Sequence, residues 1–445
     1  MLGTNRKLIE LEKQGKSIRV GLVGAGQMGR GMIAQIEKMK GMKVVITADI
    51  AVENVVKAYE NAGIKKADLV VTDNKSKAAE AVRSGFVVAT ADASLVSGLA
   101  DVDVVVDATG VPNVGAEIAW KSITNKKHIV MLNVEADITV GPILKQMADA
   151  AGVVYTGSAG DEPGAIMELF DFSEALGFET VALGKGKNNP LNVEANPDTA
   201  AQEAAEKKSS PKMLASFQDG TKTMVEMNAV ANATGFLPDK PGMHGLKGEV
   251  KDLPAFFETK ENGGKVSKEK VVEYINGIAP GVFAIIRSEQ EEVNAELTYL
   301  KMGDGPNYVL YRPYHLTSLE TPLSIAKAYL DHVPTIAPYK GRIAETATVA
   351  KKDLAEGDYL DSIGGFTVYG TILTAEDSDA MEALPIGLVD RHIKMRKAVK
   401  KGEIIRMSDI IHERDTTIWK LRELQNTFGT VSAEDSGIIK EAPVV

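Results

Sequence analysis

A run of β-branched and apolar residues at 18–23 breaks at Gly24-Ala25-Gly26-Gln27-Met28-Gly29 and resumes as a helix-compatible stretch. That order of strand, glycine turn and helix constrains the fold more than any other feature of the chain. Gly24 permits the tight turn out of the strand, Gly26 lets the backbone approach a pyrophosphate, and Gly29 lets helix and strand pack closely. The phosphates then rest on the N–H groups and positive dipole end of the helix, beside Gln27 and Met28. A second strand ends in Asp49, at the spacing of about twenty residues where an acid holds the ribose hydroxyls. Elsewhere such glycines would be a flexible turn; the strands on either side select a dinucleotide site.

Strand patterns at 19–23, 43–48, 86–90, 102–107, 128–132 and 153–155 alternate with helical stretches at 29–40, 52–62, 75–84 and 113–124. Near-continuous apolar strands in βαβ alternation predict an α/β fold with a doubly wound, parallel Rossmann sheet. Ligands of such sheets bind at the carboxyl ends of the strands. Thr109, Gly110 and Asn133 follow two of those ends and are expected beside the nicotinamide, although Asn133 reads equally well as part of an ordinary βα turn.

The Gly-rich break at 156–164 closes this first part, so boundaries are expected at 1–157 for the dinucleotide domain and 158–339 for an α+β catalytic domain. Residues 340–445 read as a small β-rich domain with a C-terminal helix. The segment 322–330, apolar at helical spacing, is expected to pack back on the first domain. The charged N-terminal stretch has no apolar signal segment and is expected to form a helix beside the first strand. No run approaches the ~18 apolar residues that span a bilayer. A net charge of −10 argues against nucleic acid as a partner. With no cysteine in 445 residues, disulfides, thiolate metal sites and thiol nucleophiles are excluded. A cytoplasmic location is expected.

Three constellations carry candidate chemistry. Gly184-Lys185-Gly186-Lys187-Asn188-Asn189-Pro190 leaves a strand and reads as a turn with two cations, either an anion clamp or a solvated basic loop. Asp219, Lys222 and Glu226, if helical, share one face. A lysine between two carboxylates can protonate a carbonyl oxygen, and on a helix of otherwise small, apolar residues such charges need partners. The alternative is an exposed salt-bridged face. Arg287 ends an apolar strand, and Arg312, Tyr314, His315, Thr317 and Ser318 cluster before a helix, a set suited to gripping an anion; His315 alone also reads as a structural histidine. No zinc-protease, nucleophile-elbow, Walker or EF-hand spacing occurs.

Taken together, GLVGAGQMG, VVVDATGVP, SAGDEPGA, FQDGTKTMVEM and YRPYHLTSLETPLSIA resemble the homoserine-dehydrogenase-like family. The resemblance is best to its reductoisomerase-like branch, which makes 2-C-methyl-D-erythritol 4-phosphate, an isoprenoid precursor, from 1-deoxy-D-xylulose 5-phosphate. The stretches 348–358 and 397–404 resemble the two halves of a SAF domain. The resemblance implies NADPH as hydride donor, a divalent Mg or Mn ion, a phosphorylated sugar substrate and a homodimer. It implies Lys222 as electrophile or proton donor, Asp219 and Glu226 as orienting or metal-facing acids, and Lys187, Arg287, Arg312, His315 and Ser318 as phosphate contacts.

Two departures qualify these expectations. Asn133-Val134-Glu135 stands where homoserine dehydrogenases carry a lysine, which argues against homoserine oxidation. Asp49 favours NAD, because an acid there repels a 2′-phosphate and no arginine follows at once. Two other readings remain open: an NAD(P)-dependent oxidoreductase acting on another small polyol or sugar derivative, and a dinucleotide-sensing regulatory protein.

Overall fold

The structure, a computed structural model, describes residues 3–428 apart from Lys208 and Arg414. They form two compact units, the first of residues 3–137, 144–165 and 316–337, the second of 138–143, 166–315 and 338–428.

Seven parallel strands build the first unit: β1 (Ile18–Val23), β2 (Met42–Ala48), β3 (Leu69–Val71), β4 (Val87–Thr90), β5 (Val104–Asp107), β6 (His128–Met131) and β7 (Tyr155–Gly157). Their order is β3-β4-β2-β1-β5-β6-β7. The strands are apolar on both faces because helices cover both; Val20, Leu22, Val44, Val104 and Val106 are all fully buried. The chain runs outward from β1 to one edge and returns at β5, which puts the switch of direction, and hence the ligand crevice, between β1 and β5. The α/β Rossmann-type sheet is as the alternation predicts. β3, with three residues, and the helix Ala93–Gly98, with six, are too short to give a periodic signal.

Two distant segments complete this core. The helix Thr4–Lys13 sets Leu8 beside Ile18, and the helix Thr321–Leu330 adds Ile325 and Ala326 to the same cluster. That second helix is held by hydroxyls: Ser158 Oγ lies 2.8 Å from Thr321 Oγ1, and Ala159 N donates to Ser324 Oγ at 2.9 Å.

A mixed sheet organises the second unit, from β8 (Glu179–Lys187), β9 (Leu237–Pro238), β10 (Leu246–Lys247), β11 (Val271–Asn276), β12 (Val282–Arg287) and β13 (Asn307–Arg312). The order is β10-β11-β8-β12-β13, with β9 on β11. β8 runs parallel to β11 and antiparallel to β12. One face packs Phe283, Ile285 and Val309 against Leu253, Phe257 and Val266. The helix Thr221–Thr234 reaches the sheet through an ion pair between Glu226 and Lys185 of β8, and every one of its residues except Lys222 is buried. An antiparallel ribbon of β14 (Ala344–Ala350) and β15 (Val368–Thr374) packs on the same helix. Gly370 N donates to Thr221 Oγ1 at 2.8 Å, and Ile343 N and Ala344 N both donate to Asn232 Oδ1 at 3.0 Å.

The helix Val134–Ala151 carries Pro142 in its interior, where the missing N–H and the ring disturb the ladder. The helix Thr417–Phe428 supports this point within the second unit. Gln425 accepts from Ile143 N and donates to the Thr139 carbonyl, each at 3.2 Å, and Arg422 Nη1 donates to the same carbonyl at 3.0 Å. Arg422 is anchored in turn on the buried Glu345. Among the described residues no helix is long and apolar enough to cross a membrane. Replacing Gln425, which is buried, by leucine removes both bridging bonds and is expected to destabilise the protein by about 1–3 kcal/mol. Urea denaturation measures that loss, and hydrogen exchange at Ile143 should quicken with it; an unchanged midpoint would show that the helix closes the rung by itself.

Candidate functional site

The glycine turn has the steric form of a dinucleotide cradle. Gly24 has φ +102°, and a Cβ there would lie 2.7 Å from the Ala108 carbonyl oxygen at the end of β5. A Cβ on Gly29 would meet the Gly24 carbonyl oxygen at 1.9 Å, so the helix after the turn sits directly on the turn's backbone. A Cβ on Gly26 would meet nothing within 4 Å. The two outer glycines are thus enforced by protein contacts, whereas the middle one faces open space, where a pyrophosphate needs to approach. The helix Gln27–Ile36 starts there, with Gly26 as its N-cap and no side chain on its first N–H groups. This geometry fits a dinucleotide.

Asp49 closes the turn from the side. Its Oδ2 accepts from Ala25 N at 2.7 Å and its Oδ1 from Ala51 N at 2.9 Å. At the other side of the crevice, Asp107 is buried at the end of β5, and burial pushes its carboxyl up to about 6 although Thr109 N donates to it at 2.9 Å. Asn133 is fully buried. Its amide donates to the Val111 carbonyl at 2.9 Å, and its Oδ1 accepts from Ala136 N at 3.2 Å to cap the next helix. Asn133 therefore ties the two turns together, while Gly110 is exposed beside them.

In the second unit the charged residues gather on one face of the mixed sheet. Lys185 and Lys187 do not lie on a turn: β8 continues through Lys187, because β11 pairs with it as far as Lys187 and β12 as far as Lys185, and alternation puts both side chains on the same face. Lys185 forms a buried ion pair with Glu226 of the helix laid on that face. Lys187 Nζ donates to the Phe217 carbonyl at 2.6 Å. Burial, then the neighbouring Lys185, pull the Lys187 ammonium down to about 8, against the attraction of Glu226 and Asp219.

Asp219 is not on the helix with Lys222 and Glu226. It ends the preceding helix Pro211–Gln218, and Gly220, with φ +86°, separates the two. Its carboxylate pairs with Lys351 at 2.7 Å. Burial raises its pKa, and Lys351 opposes that rise. The lysine partners of the two acids are therefore Lys351 and Lys185, which the one-face pattern did not reveal. Lys222, the half-buried residue of the helix's first turn, sits one turn before Glu226.

The two arginines are separated. Arg312 stands opposite Val282 and Arg287 opposite Asn307, five positions along the β12–β13 ribbon, or roughly 17 Å. One phosphate cannot span both. Arg287 pairs with Glu269 at 2.9 Å and bonds Asn307 at 3.1 Å. Arg312 lies across the sheet from Lys185, since both oppose Val282. It pairs with Glu168 at 3.2 Å and stacks over the Tyr314 ring at 4.6 Å. His315 is half-buried at the end of the same unit's segment, whereas Ser318 belongs to the first unit, where its Oγ would lie 3.3 Å from a Cβ on Gly31.

The family described as "Oxidoreductase DRL, catalytic domain" matches residues 160–321. That segment carries Lys185, Lys187, Asp219, Lys222, Glu226 and Arg312. No curated protein sequence matches the chain. Similar solved structures include one described as a probable dehydrogenase from Thermotoga maritima, with 11% identity, TM-score 0.42, and coverage of 73% of this chain and 92% of that one. Another is scyllo-inositol dehydrogenase from Lactobacillus casei with bound NAD(H) and scyllo-inositol, with 14% identity, TM-score 0.41, and coverage of 73% and 93%. The oxidoreductase match and the glycine cradle together support an NAD(P)-dependent oxidoreductase.

The cradle makes opposite demands at two glycines. Gly26→Ala should fold with an unchanged Tm and bind NADH and NADPH at least tenfold more weakly, an estimated loss of about 1.4 kcal/mol. Gly29→Ala should lower Tm outright, because its Cβ has no room. Fluorescence titration and calorimetry on the two variants read these effects separately.

Proposed function

We propose that this chain is an NAD(P)-dependent oxidoreductase acting on a small polyol or sugar derivative, with Lys187 as the group that exchanges a proton with the substrate oxygen. One observation carries the reading: the family-matched segment sets a buried lysine, shifted to about 8, beside an ion-paired Lys185–Glu226 on a single sheet face. A proton carrier works best when its pKa lies near the working pH, and burial is the usual means of bringing a lysine there. The dinucleotide supplies or accepts the hydride. Lys185 and Glu226 form a buried ion pair beside Lys187, and Lys222 is the second candidate for the proton. Asp49 favours NAD over NADP.

Reduction and rearrangement of 1-deoxy-D-xylulose 5-phosphate is the narrower form of the same proposal. Lys187 and Arg312 at one end of the sheet suit an anionic substituent, although Arg312 must exchange Glu168 for it. A divalent ion on Asp219 or Glu226 would similarly have to displace Lys351 or Lys185. Assays with NADH and NADPH, with and without Mn, on polyols, sugar acids and the phosphorylated ketose discriminate these forms. Turnover of none of them defeats the proposal and leaves the dinucleotide-sensing alternative.

The direction of pH dependence follows from the role of Lys187. Carbonyl reduction uses its ammonium, so kcat/KM should fall as pH rises through about 8. Alcohol oxidation uses the neutral amine, so the rate in that direction should rise through the same pH. Lys187→Met should lose about 10²–10⁴-fold in kcat with the dinucleotide Kd unchanged, and Lys222→Met should lose less. Pre-steady-state and steady-state kinetics in both directions check these outcomes.

A further inference from the structure

Lys351 lies outside the family-matched segment, directly after β14, and its side chain is 3% exposed. Taking an ammonium out of water costs several kcal/mol unless its protons find acceptors. Lys351 Nζ has three: the Ala195 carbonyl at 2.6 Å, the Gly365 carbonyl at 2.9 Å and Asp219 Oδ2 at 2.7 Å. These come from three separate stretches of chain. The third is the turn 217–221, whose Phe217 carbonyl holds Lys187 and whose end starts the helix carrying Glu226. Asp219 Oδ1 accepts from Thr221 N at 2.8 Å, so the carboxylate that Lys351 grips also fixes the first residue of that helix.

We propose that Lys351 is a positioning residue of the lysine cluster: through Asp219 it holds the 217–221 turn, and with it Lys187 and Glu226, in the arrangement the reaction uses. The inference rests on the reading of Lys187 given above, and it assigns the C-terminal part of the chain a direct share in the site. A structural role alone would be served by apolar side chains in place of both Lys351 and Asp219, without the cost of burying charges.

The electrostatic consequence has a definite sign. The charged groups that face Lys187 are Lys185 on its own strand, Glu226 on the helix and Asp219 on the turn. Asp219 faces Lys351, with Thr221 donating to it and Tyr369 of β15 feeling its charge. Lys351 opposes the burial that drives Asp219 towards its neutral form. Without Lys351, Asp219 is driven further towards its neutral form, the attraction it exerts on Lys187 weakens, and the Lys187 ammonium becomes easier to deprotonate.

The test reads Lys187 directly. The protein is labelled with ¹³Cε-lysine, the Lys187 resonance is assigned by its loss in Lys187→Arg, and its shift is followed against pH in the parent, Lys351→Met, Lys351→Arg and Asp219→Asn. The midpoint should move from about 8 to lower pH in Lys351→Met, move the same way in Asp219→Asn, and return towards the parent value in Lys351→Arg. Coincident midpoints in parent and Lys351→Met overturn the proposal, as does a fall in kcat without any movement of the midpoint. If Lys351→Met does not fold, Asp219→Asn decides by the same criterion. A moved midpoint with unchanged turnover upholds Lys351 as the residue that sets Lys187 and instead removes Lys187 from the reaction.

Discussion

Two buried ion pairs, Lys185–Glu226 and Lys351–Asp219, are the constraint around which the second unit is built. Each charge alone would be too costly to keep away from water, and deletion of one partner in such pairs typically destabilises by about 3–5 kcal/mol. The pairs join elements far apart in sequence: a strand to a helix in one case, a helix end to the turn after β14 in the other. They therefore specify which elements lie together as well as how tightly. Lys187 stands beside them without a carboxylate of its own, held by a carbonyl. Burial and the neighbouring Lys185 make its charge easier to lose, the kind of perturbation that proton-exchanging groups share.

In the first unit the constraint is steric. Gly24 and Gly29 are required because protein atoms crowd the places where their side chains would stand. Gly26 is required by nothing in the protein. A position that evades every protein contact and is still glycine marks the approach of something else, and its place at a helix start identifies that something as an anion. Asp49 and Asn133 serve the same crevice by holding backbone, Asp49 at Ala25 N and Asn133 between two turns, so that both fix the shape of the turn into which a nucleotide would fit.

The parts legible in the sequence were those set by near neighbours. The glycine turn, the apolar strands and the return of 322–330 to the first core all depend on periods or spacings of a few residues. The parts not legible depend on distant partners. Gly184 to Pro190 has the composition of a loop, yet pairing with β12 as far as Lys185 and with β11 as far as Lys187 extends β8 through Lys187. The helix Val134–Ala151 is masked by Pro142, and its support comes from Gln425 almost three hundred residues later. Lys351 sits in a charged stretch that resembles a solvated loop; its only local sign is that it directly follows an unbroken strand. Arg287 and Arg312 are joined by the resemblance as phosphate contacts, but each ends a strand, and antiparallel pairing sends such ends apart.

The helix Thr221–Thr234 explains why the C-terminal ribbon and the mixed sheet fold as one unit. Among its buried residues are Glu226, Asn228, Asn232 and three threonines, an unusual load of polar groups for a central helix, and each must be satisfied. The sheet satisfies Glu226 through Lys185. The ribbon satisfies the opposite side, with Asn232 accepting from two successive backbone N–H groups before and in β14, Thr221 accepting from β15, and Asn228 meeting Thr346. A helix of this composition is insoluble in an apolar core and too apolar for water. It is stable only between two layers that each offer backbone and charged partners, which binds the ribbon to the site more firmly than apolar packing alone would do.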